Sequence, residues 1–176
     1  MKKQDTLENQ VNYVYLAFGS NLGDRKKNLN KALKLLDKEN IIIKKKSKLY
    51  KSKSWPNEKF PEFINFVIFI ETSLNLKKLF LKIKNIESKV GRVKSKRNFP
   101  RVCDIDIIDF NGRIIKKKVG NNEINIPHER MHSRNFVLLP LFEINKDWFH
   151  PKLCKNIVFL LSNLTSEQLL GIKIIQ

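Results

Sequence analysis

Cysteine and long apolar runs are scarce in this chain, and their scarcity argues against several classes of protein. Cys103 and Cys154 are the two cysteines among the 176 residues. They lie far apart without Cys-x-x-Cys or Cys/His spacing, which predicts reduced, buried thiols and argues against a disulfide or a zinc site. No stretch reaches the roughly 18 apolar residues of a membrane span, and the first residues lack the apolar core of a secretion signal. We therefore expect a cytoplasmic protein with no membrane partner.

Glycine and proline are also few, six of each, and they form no linker-like stretch. Because repeats are absent as well, the sequence predicts one domain over residues 1–176, with 1–12 and 165–176 as peripheral tails. Hydrophobic residues make up 41% and charged residues 30% of the chain, the balance of a folded protein rather than a disordered one. We expect this domain to fold alone and to act as a monomer.

Positive charge is the strongest feature of the composition: 35 Lys and Arg against 17 Asp and Glu give a net charge of +18. Such a field attracts nucleic acids, anionic membranes and nucleotides, and it does not choose among them. Most of the excess is lysine spread along the chain beside abundant Ile, Asn and Phe, as an A/T-rich genome would impose. We favour solvated lysines with no specific nucleic-acid partner. A basic nucleic-acid-binding module stays open as the alternative.

Apolar periodicity predicts an alternation of strands and helices. We expect strands over 13–18, 41–50, 65–71 and 103–110, and amphipathic helices around 29–36 and over 76–90, the second ended by Gly91. Asn111-Gly112 predicts a hairpin that leads from the last of these strands into 113–117. A short strand over 124–126 and helical pieces over 136–144 and 156–164 follow. The order predicts an α+β fold, with a ferredoxin-like βαββαβ core, an antiparallel sheet and its helices on one face.

Two carboxylates stand out within the strand that begins near Cys103. Side chains alternate across a strand, so Asp104 and Asp106 share one face, roughly 7 Å apart, while Ile105 and Ile107 occupy the other. Unpaired carboxylates beside a core repel each other, so a cation is expected between them. Oxygen ligands in this arrangement suit Mg²⁺ with substrate phosphates. The alternative is one Asp paired with a lysine and the other facing water.

Arginines flank this carboxylate pair in the sequence. Arg101 precedes it closely, and Arg92 follows Gly91 at the start of a basic segment. A planar guanidinium binds phosphate well, so carboxylates and arginines together predict a metal–nucleotide site. A metal-dependent nucleotidyltransferase or nuclease would use the same groups and stays open.

A second polar cluster extends from Pro127 to Arg134. It contains His128-Glu129-Arg130-Met131-His132, which matches the His-Glu-x-x-His string of zinc proteases. That motif needs a long helix, whereas a proline precedes His128 and the flanks are strand-like. We favour phosphate binding, which also accounts for Arg130 and Arg134.

Taken together, these motifs resemble the 2-amino-4-hydroxy-6-hydroxymethyldihydropteridine pyrophosphokinase (HPPK) family over about residues 13–151. The resemblance lies in the order and spacing of several short motifs. They are Tyr15-Leu16-Ala17-Phe18-Gly19-Ser20-Asn21-Leu22-Gly23-Asp24, Ser47-x-x-Tyr50, Phe63-Ile64-Asn65, Glu87 before Gly91-Arg92, Pro100-Arg101-Val102-Cys103-Asp104-Ile105-Asp106, Pro127-His128, and Arg134-x-Phe136-Val137-Leu138-x-Pro140-Leu141.

The resemblance implies an enzyme of folate biosynthesis that transfers diphosphate from ATP to 6-hydroxymethyl-7,8-dihydropterin, giving AMP and the pterin diphosphate. It implies Asp104 and Asp106 as ligands of two Mg²⁺ ions, which together with Arg92 and Arg101 would form the catalytic group. The implied ATP-binding residues are Glu87, Arg92, Arg101, Ile107, His128 and Arg134. The implied pterin-binding residues are Ser52, Trp55, Phe63, Asn65 and Phe136. For Trp55, Phe63 and Phe136, plain core packing is the alternative.

The sequence departs from the family pattern around two loops. Residues 52–56 read Ser-Lys-Ser-Trp-Pro where threonine and prolines are common. Between Arg92 and Pro100 the chain is about one residue shorter than in some relatives, with Lys94 in place of a common arginine and Asn98-Phe99 in place of Trp-Gly. These loops are expected to close over bound substrates.

Overall fold

A mixed α/β architecture is built around a six-stranded antiparallel sheet. The computed structural model describes residues 10–39, 41–93 and 98–175. The strands are β1 (Asn12–Ser20), β2 (Ile41–Lys46), β3 (Leu49–Ser52), β4 (Phe63–Thr72), β5 (Asp104–Phe110), β6 (Ile115–Val119), β7 (Asn122–Ile126), β8 (Phe149–His150), β9 (Lys155–Asn156) and β10 (Ile172–Ile175). The helices are α1 (Arg25–Asp37), α2 (Leu76–Val90), α3 (Asn135–Ile144), α4 (Ile157–Ser162) and α5 (Ser166–Leu170).

The main sheet has the strand order β10-β3-β4-β1-β5, and β2 pairs with β4 beside β3. Strand β1 therefore lies between β4 and β5 and is antiparallel to both. The single stretch predicted over 41–50 is divided in two, because Ser47 interrupts it and accepts a hydrogen bond from the Val67 amide on its side-chain oxygen, 3.0 Å away.

Alternation along β1 explains why both faces of the sheet are covered. Val14, Leu16 and Phe18 are buried on one face against α1 and α2, whereas Tyr15 and Ala17 pack on the other face. The second face is covered by α3 and α4, which join β4 and β5 in a separate apolar cluster. The expectation of helices on one face therefore applies to α1 and α2 alone.

The two helices on the first face begin and end where the sequence indicates. The side chains of Asp24 and Asn75 accept hydrogen bonds from the amides of Lys27 and Lys78, which caps the first turns of α1 and α2. Gly91 ends α2 with a φ of +120°, a conformation that residues with a side chain rarely adopt.

The hairpin predicted at Asn111-Gly112 is wrong as to its strands. Both residues have positive φ and form a tight turn, but β6 leaves the sheet and pairs with β7 instead, across a turn at 120–121. The Asn111 side chain accepts a hydrogen bond from the Tyr13 amide of β1 at 2.7 Å. The predicted turn is therefore present, but the strand that follows it pairs with β7 and not with β5.

The chain from Thr165 to Ile175 forms a short helix and a strand. Helix α5 begins with a capping box at Thr165, and β10 adds an edge strand to the main sheet beside β3. Cys103 is buried and Cys154 is exposed, and both are free thiols, so the expectation of buried thiols holds for Cys103 alone. Among the described residues, no helix is both long and apolar enough to cross a membrane.

Candidate active site

A cleft of about 690 Å³ opens at one end of the main sheet. Because the strands are antiparallel, the end of β1, the end of β3, the start of β4 and the start of β5 all meet there. The cleft is lined by every residue implied as a site residue except Glu87 and Ile107. The lining residues of that set are Ser52, Trp55, Phe63, Asn65, Arg92, Arg101, Asp104, Asp106, His128, Arg134 and Phe136.

Asp104 stands between two guanidinium groups. Arg92 Nη1 lies 2.6 Å from its Oδ1, and Arg101 Nη1 lies 2.7 Å from its Oδ2. Burial alone would raise the pKa of Asp104, but Arg101 and Arg92 hold the pKa of this carboxyl below its usual range. The cation expected beside the carboxylate pair is thus supplied here by arginine, and Asp104 is fully ionised at neutral pH.

Asp106 is on the same face of β5 but is more open. Its side chain is 36% exposed, and its Oδ2 lies 3.8 Å from His128 Nε2 and 3.9 Å from Arg134 Nη1. These separations are longer than direct hydrogen bonds and leave the carboxylate available to a further partner. Burial lowers the pKa of His128, while Asp106 raises it less, so the imidazole is neutral at neutral pH.

Glu87 and Ile107 lie outside the cleft. Ile107 is buried in the cluster formed with α1 and α2, as strand alternation requires. Glu87 is buried beneath the site, where it accepts hydrogen bonds from the Ile105 amide at 2.8 Å, from Lys84 at 2.9 Å and from Arg92. Burial raises the pKa of Glu87 against the opposing effect of Lys84 and Arg92. Glu87 thus contacts Arg92, which in turn pairs with Asp104.

The opposite part of the cleft combines one buried amide with aromatic rings. Asn65 is buried, lines the cleft and donates through Nδ2 to Ser52 Oγ at 2.9 Å. Phe63 and Phe136 are both half-buried at the cleft wall. Gly19 pairs with Asn65, and a Cβ at this position would lie 3.1 Å from Asn65 Oδ1. A side chain at this position would therefore crowd Asn65.

Trp55 belongs to the loop before β4 and is 67% exposed. The guanidinium of Arg130 lies 5.9 Å from the centre of its ring, on the other side of the cleft entrance. Core packing, the alternative for this tryptophan, is contradicted by its exposure.

Asn21 was not predicted as a site residue and does not line the cleft, but it bonds to residues that do. It is buried and exchanges two bonds with Arg101: its amide donates to the Arg101 carbonyl at 3.1 Å, and its Oδ1 accepts from the Arg101 amide at 2.8 Å. Its Nδ2 donates to Ser54 Oγ at 3.0 Å and to the Pro61 carbonyl at 3.1 Å. Asn21 thus joins three loops. Asn21 belongs to the motif that follows β1, but its hydrogen bonds to residues distant in the chain cannot be predicted from the sequence.

The zinc-protease alternative is contradicted by the conformation of its histidines. His128 lies in a loop at the cleft, and His132 lies in a short 3-10 turn, with its ring centre 6.2 Å from that of His150. No helix presents both rings. Among the described residues, no group of three or more His, Cys, Asp or Glu side chains is placed to hold a metal ion.

The basic segment between Arg92 and Pro100 is described at its two ends. Asn98 and Phe99 line the cleft, and the Phe99 ring centre lies 5.5 Å from that of Phe60. Lys94 falls within 94–97, outside the described residues.

Comparisons with known proteins agree on one family. A sequence model described as 7,8-dihydro-6-hydroxymethylpterin-pyrophosphokinase (HPPK) matches residues 15–146. The chain is 40% identical over 138 residues to the 2-amino-4-hydroxy-6-hydroxymethyldihydropteridine pyrophosphokinase of Aquifex aeolicus, covering 78% of this chain and 83% of that protein. It is 44% identical over 142 residues to the folic acid synthesis protein FOL1 of Dictyostelium discoideum, covering 81% of this chain and 21% of that protein.

Solved structures show the same fold at lower sequence identity. The chain is similar to the HPPK-DHPS of Plasmodium falciparum, crystallised with pterin and p-hydroxybenzoate, with a TM-score of 0.75 and 18% identity. The match covers 95% of this chain and 45% of that one, so the chain spans less than half of the Plasmodium protein. Because the Aquifex protein is matched over most of its length and the family model over most of this chain, the chain belongs to the 7,8-dihydro-6-hydroxymethylpterin-pyrophosphokinase (HPPK) family.

Proposed function

We propose that this protein transfers the terminal diphosphate of ATP to the hydroxymethyl group of 6-hydroxymethyl-7,8-dihydropterin, giving AMP and the pterin diphosphate. Family membership supports this reaction. The single observation that carries it is the convergence, in one cleft, of a carboxylate pair, four guanidinium groups and a buried amide flanked by aromatic rings.

Asp104 and Asp106 are proposed to hold two Mg²⁺ ions. The donor set fits a hard cation, because both are carboxylates on one face of a strand and both line the cleft. When bound, Mg²⁺ would neutralise phosphate charge. The arginine pairs of Asp104 are compatible with this, since incoming phosphates give the two guanidinium groups new anionic partners.

The arginines are proposed to orient the triphosphate. Arg92 and Arg101 stand on either side of Asp104, and Arg134 approaches Asp106 from the opposite wall. His128, held neutral by burial, can hydrogen-bond a nucleotide without adding charge. Glu87 acts from below, through Arg92.

The transfer needs positioning more than it needs a protein nucleophile. The pterin hydroxyl oxygen forms a bond to the β-phosphorus, the bond from that phosphorus to the α-phosphate oxygen breaks, and AMP leaves with the electron pair. The hydroxyl proton is lost to solvent. Guanidinium groups that are already fixed stabilise the charge of such a transition state at little reorganisation cost. Asn65 and Ser52 would bind the pterin edge, and Phe63, Phe136 and Trp55 would enclose its ring.

The sheet core is proposed to be ferredoxin-like. If β2 and β3 are counted as one bent strand, the core has the order β-α-β-β-α-β, and its strands lie fourth, first, third, second across the sheet. The cytoplasmic location, the monomeric state, the single-domain organisation and the absence of a specific nucleic-acid partner stay predictions.

The test is a product assay with ATP, MgCl₂ and the reduced hydroxymethylpterin. We expect AMP and the pterin diphosphate in equal amounts, and loss of both when EDTA removes the metal. Inorganic pyrophosphate as product would instead favour a nucleotidyltransferase, and cleaved nucleic acid would favour a nuclease. Formation of ADP without AMP would contradict the proposal.

A further inference from the structure

One wall of the cleft is formed by residues beyond the part of the chain that the family model matches. That match ends at residue 146, whereas Glu167, Gln168 and Gly171 line the cleft. These residues belong to α5 and to the turn before β10. We refer to Thr165–Ile175 as the closing segment.

The closing segment is attached to the strand that carries a proposed pterin residue. Strand β10 pairs with β3 through four residue pairs, from Ile172 opposite Ser52 to Ile175 opposite Leu49. Ser52 in turn accepts the hydrogen bond of Asn65. The segment therefore lies against the part of the cleft that holds Ser52 and Asn65.

A second set of bonds joins the closing segment to the opposite wall. Asn135 Nδ2 donates to the Gln168 backbone carbonyl, and Gln168 Nε2 donates to the Ser133 carbonyl at 3.3 Å. Asn135 Oδ1 also accepts from the Phe136 amide at 2.7 Å, so one side chain touches both Gln168 and the start of α3. Within α5, Gln168 is held by the capping box, in which its Oε1 accepts from the Thr165 amide at 2.9 Å.

These contacts reach Phe136 through its backbone. The ring of Phe136 lies at the cleft wall, with the Arg134 guanidinium 5.5 Å from the ring centre. The Asn135 side chain accepts from the Phe136 amide and donates to the Gln168 carbonyl, so it links Phe136 to the closing segment. A shift of the closing segment would therefore act on the stretch from Ser133 to Phe136, whereas β1 and β5 hold the carboxylates independently.

We infer that the closing segment is a structural wall of the pterin part of the cleft, and that Asn135 and Gln168 are positioning residues that act on the pterin through Phe136. This inference rests on the proposed function, since it assumes that the pterin binds between Phe63 and Phe136. It assigns to an element outside the family match a larger role in the affinity for the pterin than in the affinity for the nucleotide.

The test compares substrate affinities in four single variants of the full chain. Asn135→Ala removes both of its bonds, Asn135→Asp keeps the acceptor for Phe136 and removes the donor to Gln168, and Gln168→Ala removes both of the Gln168 side-chain bonds. Leu170→Ala is the matched control, because Leu170 is in the same helix, is 79% exposed and does not line the cleft. Each protein is titrated calorimetrically with 6-hydroxymethylpterin and with α,β-methylene-ATP, and steady-state KM is measured for both substrates.

We expect Asn135→Ala and Gln168→Ala to raise the Kd and KM for the pterin about fivefold to tenfold, the range of one lost hydrogen bond. The change for the nucleotide should be clearly smaller, because Arg134, which lies next to Asn135, is one of several residues proposed to bind it. Leu170→Ala should match the wild type. Equal losses for both ligands would assign the segment a purely structural role and overturn the inference, as would unchanged pterin affinity. If Asn135→Ala does not fold, Asn135→Asp and Gln168→Ala decide. A wild type that makes no pterin diphosphate would fail the proposed function itself, a result distinct from active enzyme with insensitive variants.

Discussion

Asp104 and Asp106 occupy one face of β5 but have different surroundings. Asp104 forms close ion pairs with Arg92 and Arg101, and its side chain is 22% exposed. Asp106 is more exposed and has its nearest charged partners at 3.8 Å and 3.9 Å. The two carboxylates therefore do not simply repel each other, as the sequence alone would suggest. One is neutralised within the protein, and the other is open to the cleft.

We predict that Asp106→Asn lowers turnover by roughly 10² or more with little effect on folding. The change keeps size and removes the charge needed for metal binding, and about 3 kcal/mol is typical for one lost electrostatic contact to a transition state. Because its ion pairs are long, the free energy of unfolding should change by less than about 0.5 kcal/mol. Turnover against Mg²⁺ concentration and thermal unfolding measure both quantities.

Asp104→Asn serves as the contrasting variant. It should lower turnover similarly but also lower the free energy of unfolding by about 1 to 2 kcal/mol, because Arg92 and Arg101 lose their shared anion in a partly buried place. Near-normal turnover of folded Asp106→Asn would contradict the assignment of the metal pair.

The pterin part of the cleft allows a separate prediction for Asn65 and Phe63. Asn65→Ala removes a buried polar group, and Phe63→Ala removes a ring from the wall, so each should weaken pterin binding about tenfold or more. Binding of α,β-methylene-ATP should change much less, because neither side chain takes part in the ion pairs of Asp104 with Arg92 and Arg101. Calorimetric titration of each ligand checks this, and equal losses would mean that the two residues support the fold rather than the pocket.

At the scale of elements, the end of α2 connects helix geometry with the site. Gly91 has positive φ, and Arg92, which pairs with Asp104, follows immediately. We predict that Gly91→Ala lowers the free energy of unfolding by about 1 kcal/mol, because alanine is strained in this conformation, and that it also raises the KM for ATP by moving Arg92.

Gly112→Ala is the matched control for Gly91→Ala. Gly112 also has positive φ, +62°, and a Cβ there would meet no atom within 4 Å. It lies in the turn after β5, outside the residues that line the cleft. Its replacement should cost similar stability and leave both KM values unchanged. Thermal unfolding and steady-state kinetics of the two variants separate backbone strain from displacement of Arg92.

Elements with strong local signals could be predicted from the sequence. The apolar spacing of α1 and α2, the alternation in β1 and β5 and the cap at Gly91 are local properties, and all are present. The Asp-x-Asp spacing likewise placed both carboxylates on one face. The pairing of strands was harder to predict from the sequence. Asn111-Gly112 forms its turn, but β6 pairs with β7, because the strand edges that are available for pairing depend on the whole fold.

The closing segment shows the same limit more sharply. Its sequence from Thr165 has no long periodic pattern, and α5 is five residues long. Its stability comes from pairing with β3 and from contacts with Ser133 and Asn135, all distant in sequence. Asn21 was missed for the same reason, since all its partners are at least 33 residues away.

At the scale of the whole molecule, the net charge of +18 is spread over exposed strands as well as helices. The lysines of β6 and those at the end of β2 are exposed. We predict nucleic-acid binding that is weak and indifferent to sequence, with a linear loss of log affinity against log salt, because counterion release drives it. Fluorescence anisotropy with unrelated DNA and RNA oligomers from 0.05 to about 0.2 M salt tests this. Tight, selective binding at the highest salt would show a dedicated site.

Gly19 is opposite Asn65 in β4 and opposite Asp104 in β5, so one row across the sheet joins the proposed pterin anchor to the proposed metal ligand. The distance between these two anchors is therefore two interstrand spacings, about 10 Å between Cα atoms. Hydrogen-bond register, not side-chain packing, sets this length. Substitutions in the apolar clusters can thus lower stability while the distance between Asn65 and Asp104 stays constant. Changes in the core over evolution therefore need not alter how the two substrates are placed relative to each other.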